Sequence, residues 1–175
     1  ELMLFDLETD AQDPEQAYLI QCALVHIRPG AGRVNYSAIA HPRRDIPDEA
    51  AGVHGIPTAR ARAEGRPIEA VLTELLDRLT AWNKHNVLIG HNIGYDLTVL
   101  DRECQRVLGT ELSISGPVID TLLLDKPLDR FRKGSRQLSD QCTHYGLELG
   151  DNAHEALADA TATGQLAWKL VSRSI

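Results

Sequence analysis

The first forty residues carry apolar positions at the spacing of β-strands. Residues 2–8 open with an apolar run at 2–5 and read as a first strand, and residues 17–27 place apolar side chains on both faces of an extended segment. A Pro- and Gly-rich turn at 29–32 then leads into a third extended segment at 33–40. We therefore predict that the fold begins with an antiparallel meander of three strands.

Beyond a loop punctuated by prolines, the apolar period changes to that of helices. Apolar residues recur at helical spacing from Ile68 to near Trp82, with Pro67 at a first-turn position. Short strands and helices then alternate, with strands at 87–89 and 118–120 and helices at 95–108, 121–124, 137–145 and 155–173. This order predicts an α/β fold with a mixed five-stranded sheet, antiparallel on one side and parallel on the other, flanked by helices.

Length and composition favour one domain over residues 1–175, which is enough chain to bury a real core. No apolar stretch is long enough to span a membrane, so we expect no membrane partner. Cys22, Cys104 and Cys142 lie in no metal-binding or disulfide pattern, which favours a reducing, cytoplasmic location. The chain begins with Glu1 rather than Met, so we expect that it is part of a longer protein.

The formal net charge is -7, which argues against a protein that coats nucleic acid through a field of Lys and Arg. The same charge is compatible with an enzyme that holds a short strand through metal ions.

Two acids at the end of the first strand are the most informative pair in the chain. Asp6 and Glu8 flank Leu7, and residues two apart on a strand project from the same face. Two carboxylates held close together in a buried segment repel each other and lose hydration. A divalent cation would remove this cost, so the pair indicates a metal site.

A third acid follows the fourth predicted strand. Asp96 falls in the first turn of a helix, near a strand end where α/β folds tend to place functional sites. Taken alone, it is equally compatible with an acid that complements the helix dipole.

The last helix is preceded by His154 and carries Asp159. At about 100° per residue, five residues of regular helix would separate these side chains by about 140°, so His154 is expected in the loop before the helix. Asp159 would then be a fixed ligand beside a movable imidazole. Without the other acids, an exposed histidine and a solvated carboxylate would be the simpler interpretation.

Taken in order, these residues resemble the histidine branch of the DEDD superfamily of 3'-5' exonucleases, known as DEDDh. Residues 5–9 resemble the first motif, residues 91–96 the second, and His154 with Asp159 the third. Residues 53–56 resemble a short element between the first two motifs. The resemblance implies a ribonuclease-H-like fold and hydrolysis that releases 5'-mononucleotides from a 3' end. It also implies, as a partner, a polymerase or another domain outside this segment.

The resemblance further implies two divalent metal ions, usually Mg²⁺ or Mn²⁺, in line with the oxygen ligands. Asp6, Glu8 and Asp159 would hold the ion that activates water. Asp6 would also bridge to the second ion, which Asp96 would support directly or through water. His154 would accept the proton of the attacking water, a role that suits an imidazole.

Further residues are implied around the substrate. Leu7 would wedge at the terminal bases, and the residues expected around the terminal nucleotide are Thr9, Glu49, His54 and His91. For His54 a helix-end residue and for Glu49 a solvated acid are alternatives. A basic loop supplies further candidates for phosphate contacts, namely Arg130, Arg132, Lys133 and Arg136, and its aromatic side chain could stack on a base. A solvated surface loop is the alternative there, and Asp120 is interpreted as a helix cap.

The segment after the first motif departs from the family pattern. Residues 9–15 lack the glycine that many relatives carry and contain three acids, so we expect them to repel phosphates and to disfavour a second strand.

Three alternative functions remain at this point. A haloacid-dehalogenase-type phosphatase would require Asp in place of Glu8, and a non-catalytic interaction domain would not need all five catalytic positions. Within the exonuclease interpretation, single-stranded or frayed DNA is favoured for proofreading or repair. Short RNA is the alternative substrate, because sequence motifs do not fix discrimination at the 2'-hydroxyl.

Overall fold

The computed structural model describes residues 1–81, 86–148 and 155–173, and it contains the predicted mixed sheet. The strand order is β3-β2-β1-β4-β5, antiparallel among the first three strands of the chain and parallel where β1 meets β4 and β4 meets β5. The strands are β1 (Leu2–Thr9), β2 (Leu19–Arg28), β3 (Gly32–Ile39), β4 (Val87–Gly90) and β5 (Val118–Asp120). The predicted fold class is therefore confirmed.

Helices pack against both faces of this sheet. They are α1 (Asp48–His54), α2 (Thr58–Glu64), α3 (Ile68–Ala81), α4 (Ile93–Glu103), α5 (Thr121–Leu128), α6 (Leu138–His144) and α7 (Ala156–Arg173). A π-helical turn, Cys104–Leu108, continues α4. In the described part of the chain, every helix is too short or too polar to cross a bilayer.

The alternation of side chains along β1 divides the core into two layers. Met3, Phe5 and Leu7 join the larger apolar cluster, which includes residues of α3 and α4. Leu4 points to the opposite face and packs in a cluster with alanines of α7. Asp6 and Glu8 share the face of Leu4, so the acidic pair lies on the side of the sheet that α7 covers.

The prediction of a loop between β3 and α3 was wrong, because α1 and α2 lie there. The prolines at 47 and 57 were interpreted as breaks, whereas each directly precedes a helix. In α1, two acids occupy the first turn and Gly55 ends the helix with φ 69°. These start and stop signals are present in the sequence.

The helix predicted at 121–124 also extends further than expected. Pro127 lies inside the last turn of α5, and the helix ends one residue later. Pro127 cannot donate a hydrogen bond to the carbonyl of residue 123 and its ring crowds that carbonyl, which agrees with a helix that ends directly after it. The other described helix and strand ends agree with the prediction to within about two residues, the usual uncertainty of such boundaries.

Candidate functional site

Asp6, Glu8 and Asp159 come together where β1 ends beside the first turn of α7. Each can offer one carboxylate oxygen, and these atoms lie within 4.8 Å of one another. The start of α7 is fixed by β2, since the buried side chain of Gln21 accepts a hydrogen bond from the backbone N–H of Ala156 at 3.1 Å. Gln21 is paired with Glu8 across the antiparallel strands. One residue of β2 thus holds the helix that carries Asp159 next to the strand that carries Glu8.

Burial and mutual repulsion make this cluster costly when it is ionised. Burial raises the pKa of Asp6 well above its usual value, and the neighbouring charges of Asp96, Glu8 and Asp159 raise it further. The pKa of Glu8 is raised to about 8, first by burial and then by the charges of Asp159 and Asp96. Part of Asp6 remains accessible, but its Oδ2 atom is sealed from solvent and accepts no hydrogen bond within the described chain.

Asp96 approaches the cluster from α4. It is buried, and its Oδ1 atom accepts a hydrogen bond from the backbone N–H of Leu7 at 3.0 Å, which fixes it to the residue between Asp6 and Glu8. Burial raises the pKa of Asp96 to about 8, and the Leu7 hydrogen bond opposes that rise. The second motif therefore presents its acid to the first, as the sequence predicts for a shared site.

A tight turn between β4 and α4 gives Asp96 this position. Asn92 adopts a left-handed conformation with φ 55°, and its backbone N–H donates to Asp120 Oδ1 at 2.9 Å. The same oxygen accepts the N–H of Leu122 at 2.9 Å, so Asp120 caps α5 as predicted. By holding two turns at once, Asp120 joins the ends of β4 and β5.

The donor set fits hard divalent cations. The cluster offers only carboxylate oxygens, which are the ligands that Mg²⁺ and Mn²⁺ prefer, and it contains no thiolate or described imidazole that would favour a softer ion. The sealed Asp6 Oδ2 atom is the kind of buried acceptor that an ion would satisfy.

Two clefts meet at this cluster. The larger, of about 790 Å³, is lined by Asp6, Asp96 and Asp159 and extends to His91, Arg136 and Ser139. The smaller, of about 660 Å³, extends from Glu8 and Thr9 toward α1 and includes Glu49 and His54. Residues shared by both clefts are Leu7, Glu8, Val53, Asn92, Tyr95 and Gln137. All four acids therefore line the larger cleft, and Glu8 lies where the two clefts meet.

The residues expected around the substrate do not all present free groups to these clefts. Leu7 touches both clefts but is only 6% exposed, and it packs mainly into the core. Both ring nitrogens of His91 have partners, Nδ1 with the Thr121 hydroxyl at 2.8 Å and Nε2 with the Arg136 carbonyl at 3.0 Å. His91 thus ties the end of β4 to the segment before α6.

Thr9 and His54 differ in how many of their side-chain polar atoms already have hydrogen-bond partners within the protein. The Thr9 hydroxyl lies 2.5 Å from the Tyr95 hydroxyl and donates to the Ala11 carbonyl, so Tyr95 holds the end of β1 in place. His54 is buried and its Nδ1 atom accepts the N–H of Ile56 at 3.2 Å. Its Nε2 atom has no hydrogen-bond partner in the described regions, although His54 lines the smaller cleft.

The basic loop divides into buried and exposed cations. Arg136 donates to the buried carboxylate of Asp125 and to the Asp129 carbonyl, and Arg132 lies 3.8 Å from the same carboxylate. Arg130 and Lys133 are exposed and form no salt bridge with any described residue. Arg132 and Arg136 therefore stabilise the loop, a role that the sequence pattern did not reveal.

The acids after the first motif are largely compensated, contrary to the expectation of a repelling loop. Asp10 is buried and accepts two hydrogen bonds from Arg44 and one from the N–H of Tyr18. Glu15 forms a salt bridge with Arg102 on α4. These charges fix the path of the chain between β1 and β2 and are not directed as free charge at a substrate.

Two contributions to the site were missed from the sequence. Gln21 and Tyr95 act through partners that are far away in the chain, and no local pattern marks them. Tyr95 does stand next to Asp96 in the second motif, which is the one signal that could have suggested it. The predicted base His154 lies outside the described residues.

The comparisons with known proteins agree with this geometry. A family of exonucleases, RNase T, matches residues 3–167. A PolC-type DNA polymerase III of Oceanobacillus iheyensis is 28% identical over 173 residues, which are 99% of this chain and 12% of that protein. The chain therefore spans only about an eighth of that relative's length.

Solved structures show the same fold. Escherichia coli Exonuclease I in complex with a dT13 oligonucleotide superposes with a TM-score of 0.80 at 20% identity, over 98% of this chain and 40% of that one. Exonuclease X in complex with 5' overhanging duplex DNA gives a TM-score of 0.72 at 21% identity, over 99% of this chain and 93% of that one.

Proposed function

This chain belongs to the RNase T exonuclease family, and from that membership we propose that it removes 5'-mononucleotides from the 3' end of single-stranded or frayed DNA, in proofreading or repair. The observation that carries the proposal is the acidic cluster in the larger cleft. Three carboxylates meet there within 4.8 Å, with Asp96 fixed beside them.

We propose that residues 1–175 form one exonuclease domain and that two divalent ions, Mg²⁺ or Mn²⁺, are its cofactors. The family uses divalent metals. Asp6, Glu8 and Asp159 would hold one ion, and Asp6 with Asp96 would hold the second. When bound, two such ions stabilise both the attacking and the leaving oxygen of an in-line phosphoryl displacement.

The residues of the chain have distinct parts in the reaction we propose. The Leu7 backbone N–H orients Asp96, and Gln21 keeps Asp159 against Glu8, so the acids are placed before substrate arrives. His154 would accept the proton of the attacking water as general base. The side chains proposed around the terminal nucleotide are Leu7, Thr9, Glu49, His54 and His91. Arg130 and Lys133 are the exposed candidates for phosphate contacts.

The relatives suggest the setting in which this domain works. Because a relative of this chain is a DNA polymerase III of which it spans 12%, we propose that a polymerase is its partner. We also propose a cytoplasmic location, with the three free, buried cysteines as support.

The proposal is tested by digestion of single-stranded DNA, frayed duplex DNA and short RNA with Mg²⁺, Mn²⁺ or EDTA. A 3' label on single-stranded DNA should appear at once as a labelled mononucleotide, and a 5' label should give a ladder of shortening products. Both signals should vanish in EDTA. RNA should be cleaved more slowly than DNA.

Release of a 5' label as a mononucleotide at the start of the digestion, before shortened strands appear, would refute the polarity that we propose. Faster cleavage of RNA than of DNA would show that RNA is the preferred substrate, and the proposed reaction would still hold. Cleavage that persists in EDTA would contradict the role of the acids as metal ligands.

A further inference from the structure

The segment from Lys126 to Gly134 comprises the last residues of α5 and the loop that follows, and the function proposed above gives a part only to its Arg130 and Lys133. Residues on either side of it, Leu122 before and Arg136 to Ser139 after, line the larger cleft. Residues 126–134 themselves do not line that cleft. From Leu122 to Leu128 the helix advances about 9 Å, so the segment begins a short distance along α5 from a residue that lines the cleft.

Hydrogen bonds to a buried carboxylate hold this segment in place. The buried carboxylate of Asp125 accepts hydrogen bonds from Arg136, from the Tyr145 hydroxyl and from Gln141 Nε2. Arg136 also donates to the Asp129 carbonyl, and Arg132 donates to the Ser135 carbonyl at 3.0 Å. The backbone is therefore fixed to α5 and α6, and the side chains that point outward are presented on a stable support.

An aromatic ring lies on the outer face of this support. The chain has only two phenylalanines, and Phe5 is buried whereas Phe131 is 82% exposed. The guanidinium of Arg130 lies over the Phe131 ring at 4.7 Å from its centre. One ring face is thus covered by a cation and the ring remains largely open to solvent.

The residues near Phe131 in the chain are mainly positive, whereas the protein as a whole is negatively charged. Lys126, Arg130 and Lys133 are exposed and form no salt bridge in the described structure. Asp129, the acid among them, lies 2.9 Å from His144 on α6. A chain of net charge -7 thus carries a local excess of positive charge on the segment between two parts of the cleft lining.

We propose that Phe131 stacks on a base of single-stranded nucleic acid upstream of its 3' end, while Arg130 and Lys133 contact the adjoining phosphates. An exposed ring beside cations is the combination by which proteins hold single strands without reading their sequence. The local charge favours a polyanion over an apolar protein surface. This proposal rests on the proposed function, because it places the strand that leads into the larger cleft.

The test compares substrates that can and cannot reach Phe131. Initial rates are measured with Mg²⁺ on single-stranded DNA of twelve and of two nucleotides, for wild type, Phe131→Ala and Phe131→Trp. Trp168→Ala is the matched control, since this ring on α7 is 75% exposed. Binding of a fluorescent twelve-nucleotide strand is followed by anisotropy in EDTA, and thermal melts verify that each variant is folded.

We expect Phe131→Ala to raise KM for the twelve-nucleotide strand about 5- to 10-fold, the lower range for loss of one stacked base. The value of kcat and the kinetics on the dinucleotide should stay within about twofold, and Phe131→Trp should restore KM. The anisotropy Kd should rise by a similar factor. In Arg130→Gln with Lys133→Gln, the slope of log Kd against log salt should fall by about 0.7 per cation removed. Trp168→Ala should match wild type.

An unchanged KM and Kd in folded Phe131→Ala would overturn the proposal, and an equal loss on both lengths would show instead that Phe131 shapes the reaction site. Failure of the proposed function has a different signature, because wild type would then cleave neither length. Anisotropy in EDTA would still report whether Phe131 contacts the strand.

Discussion

The repulsion within the acidic cluster makes the stability of the metal-free protein depend on pH, and Glu8→Gln should remove much of that dependence. Glutamine has the shape of glutamate without its charge. The pKa of Glu8 is raised from an ordinary 4.5 to about 8 in the folded protein. Between these pH values the folded protein keeps a proton that the unfolded chain has released, so stability falls as pH rises through this interval.

The size of the effect follows from the same two values. At 1.36 kcal/mol per pKa unit, the interval from 4.5 to about 8 corresponds to at most about 5 kcal/mol. Glu8 keeps some contact with solvent, which screens its charge, so we expect roughly half of this limit. For a chain of this size, about 2.5 kcal/mol corresponds to about 5 to 10 °C in Tm.

The assay is a series of thermal melts in EDTA from pH 5 to pH 9. Wild type should lose about 5 to 10 °C more than Glu8→Gln across this range, and the two proteins should be alike at pH 5. Mg²⁺ added at pH 9 should raise Tm more for wild type than for the variant. Glu69→Gln, on an exposed position of α3, serves as the control and should follow wild type. Parallel curves for wild type and Glu8→Gln would refute the electrostatic account of the cluster.

Three further substitutions test other parts of the structure. Asp159→Asn should abolish cleavage without lowering the Tm of the metal-free protein, since it relieves repulsion, and a large loss of stability would make Asp159 structural. For His154 as base, the rate should fall as the imidazole protonates below about pH 6.5, and full activity of His154→Ala would exclude that role. In Gly164→Ala the new Cβ would lie 2.4 Å from the buried Leu4 side chain, so a net loss of about 1 kcal/mol is expected in denaturant melts despite the better helix former. Gly94→Ala, where a Cβ meets nothing within 4 Å, should not destabilise.

The arrangement of the acidic pair was accessible from local pattern. The strand period predicts that Asp6 and Glu8 share a face, and the structure places them on the same face as Leu4. The order of the motifs indicated Asp96 and Asp159 as further acids of the same site, and the structure brings Asp159 within 4.8 Å of the pair. Only the shared face of Asp6 and Glu8 follows from a backbone period that repeats within a few residues.

Other predictions failed for reasons that lie outside the local sequence. The path of α1 and α2 depends on prolines that begin helices instead of preventing them. The cations of the basic loop look alike in the sequence, yet Arg136 is bound to Asp125 while Lys133 remains exposed. Whether a cation pairs with a carboxylate inside the protein depends on which side chain packs beside it. The two partners have no fixed spacing along the chain.

The sequence by itself thus determined the sheet and the acids at its strand ends. Only the tertiary structure decided that Gln21 fixes the start of α7 and that Arg44 pairs with the carboxylate of Asp10. It alone also decided that Phe131 stays exposed. The reason is physical, because strand and helix periods follow from the backbone alone, whereas burial and charge pairing depend on which distant side chains meet when the chain folds.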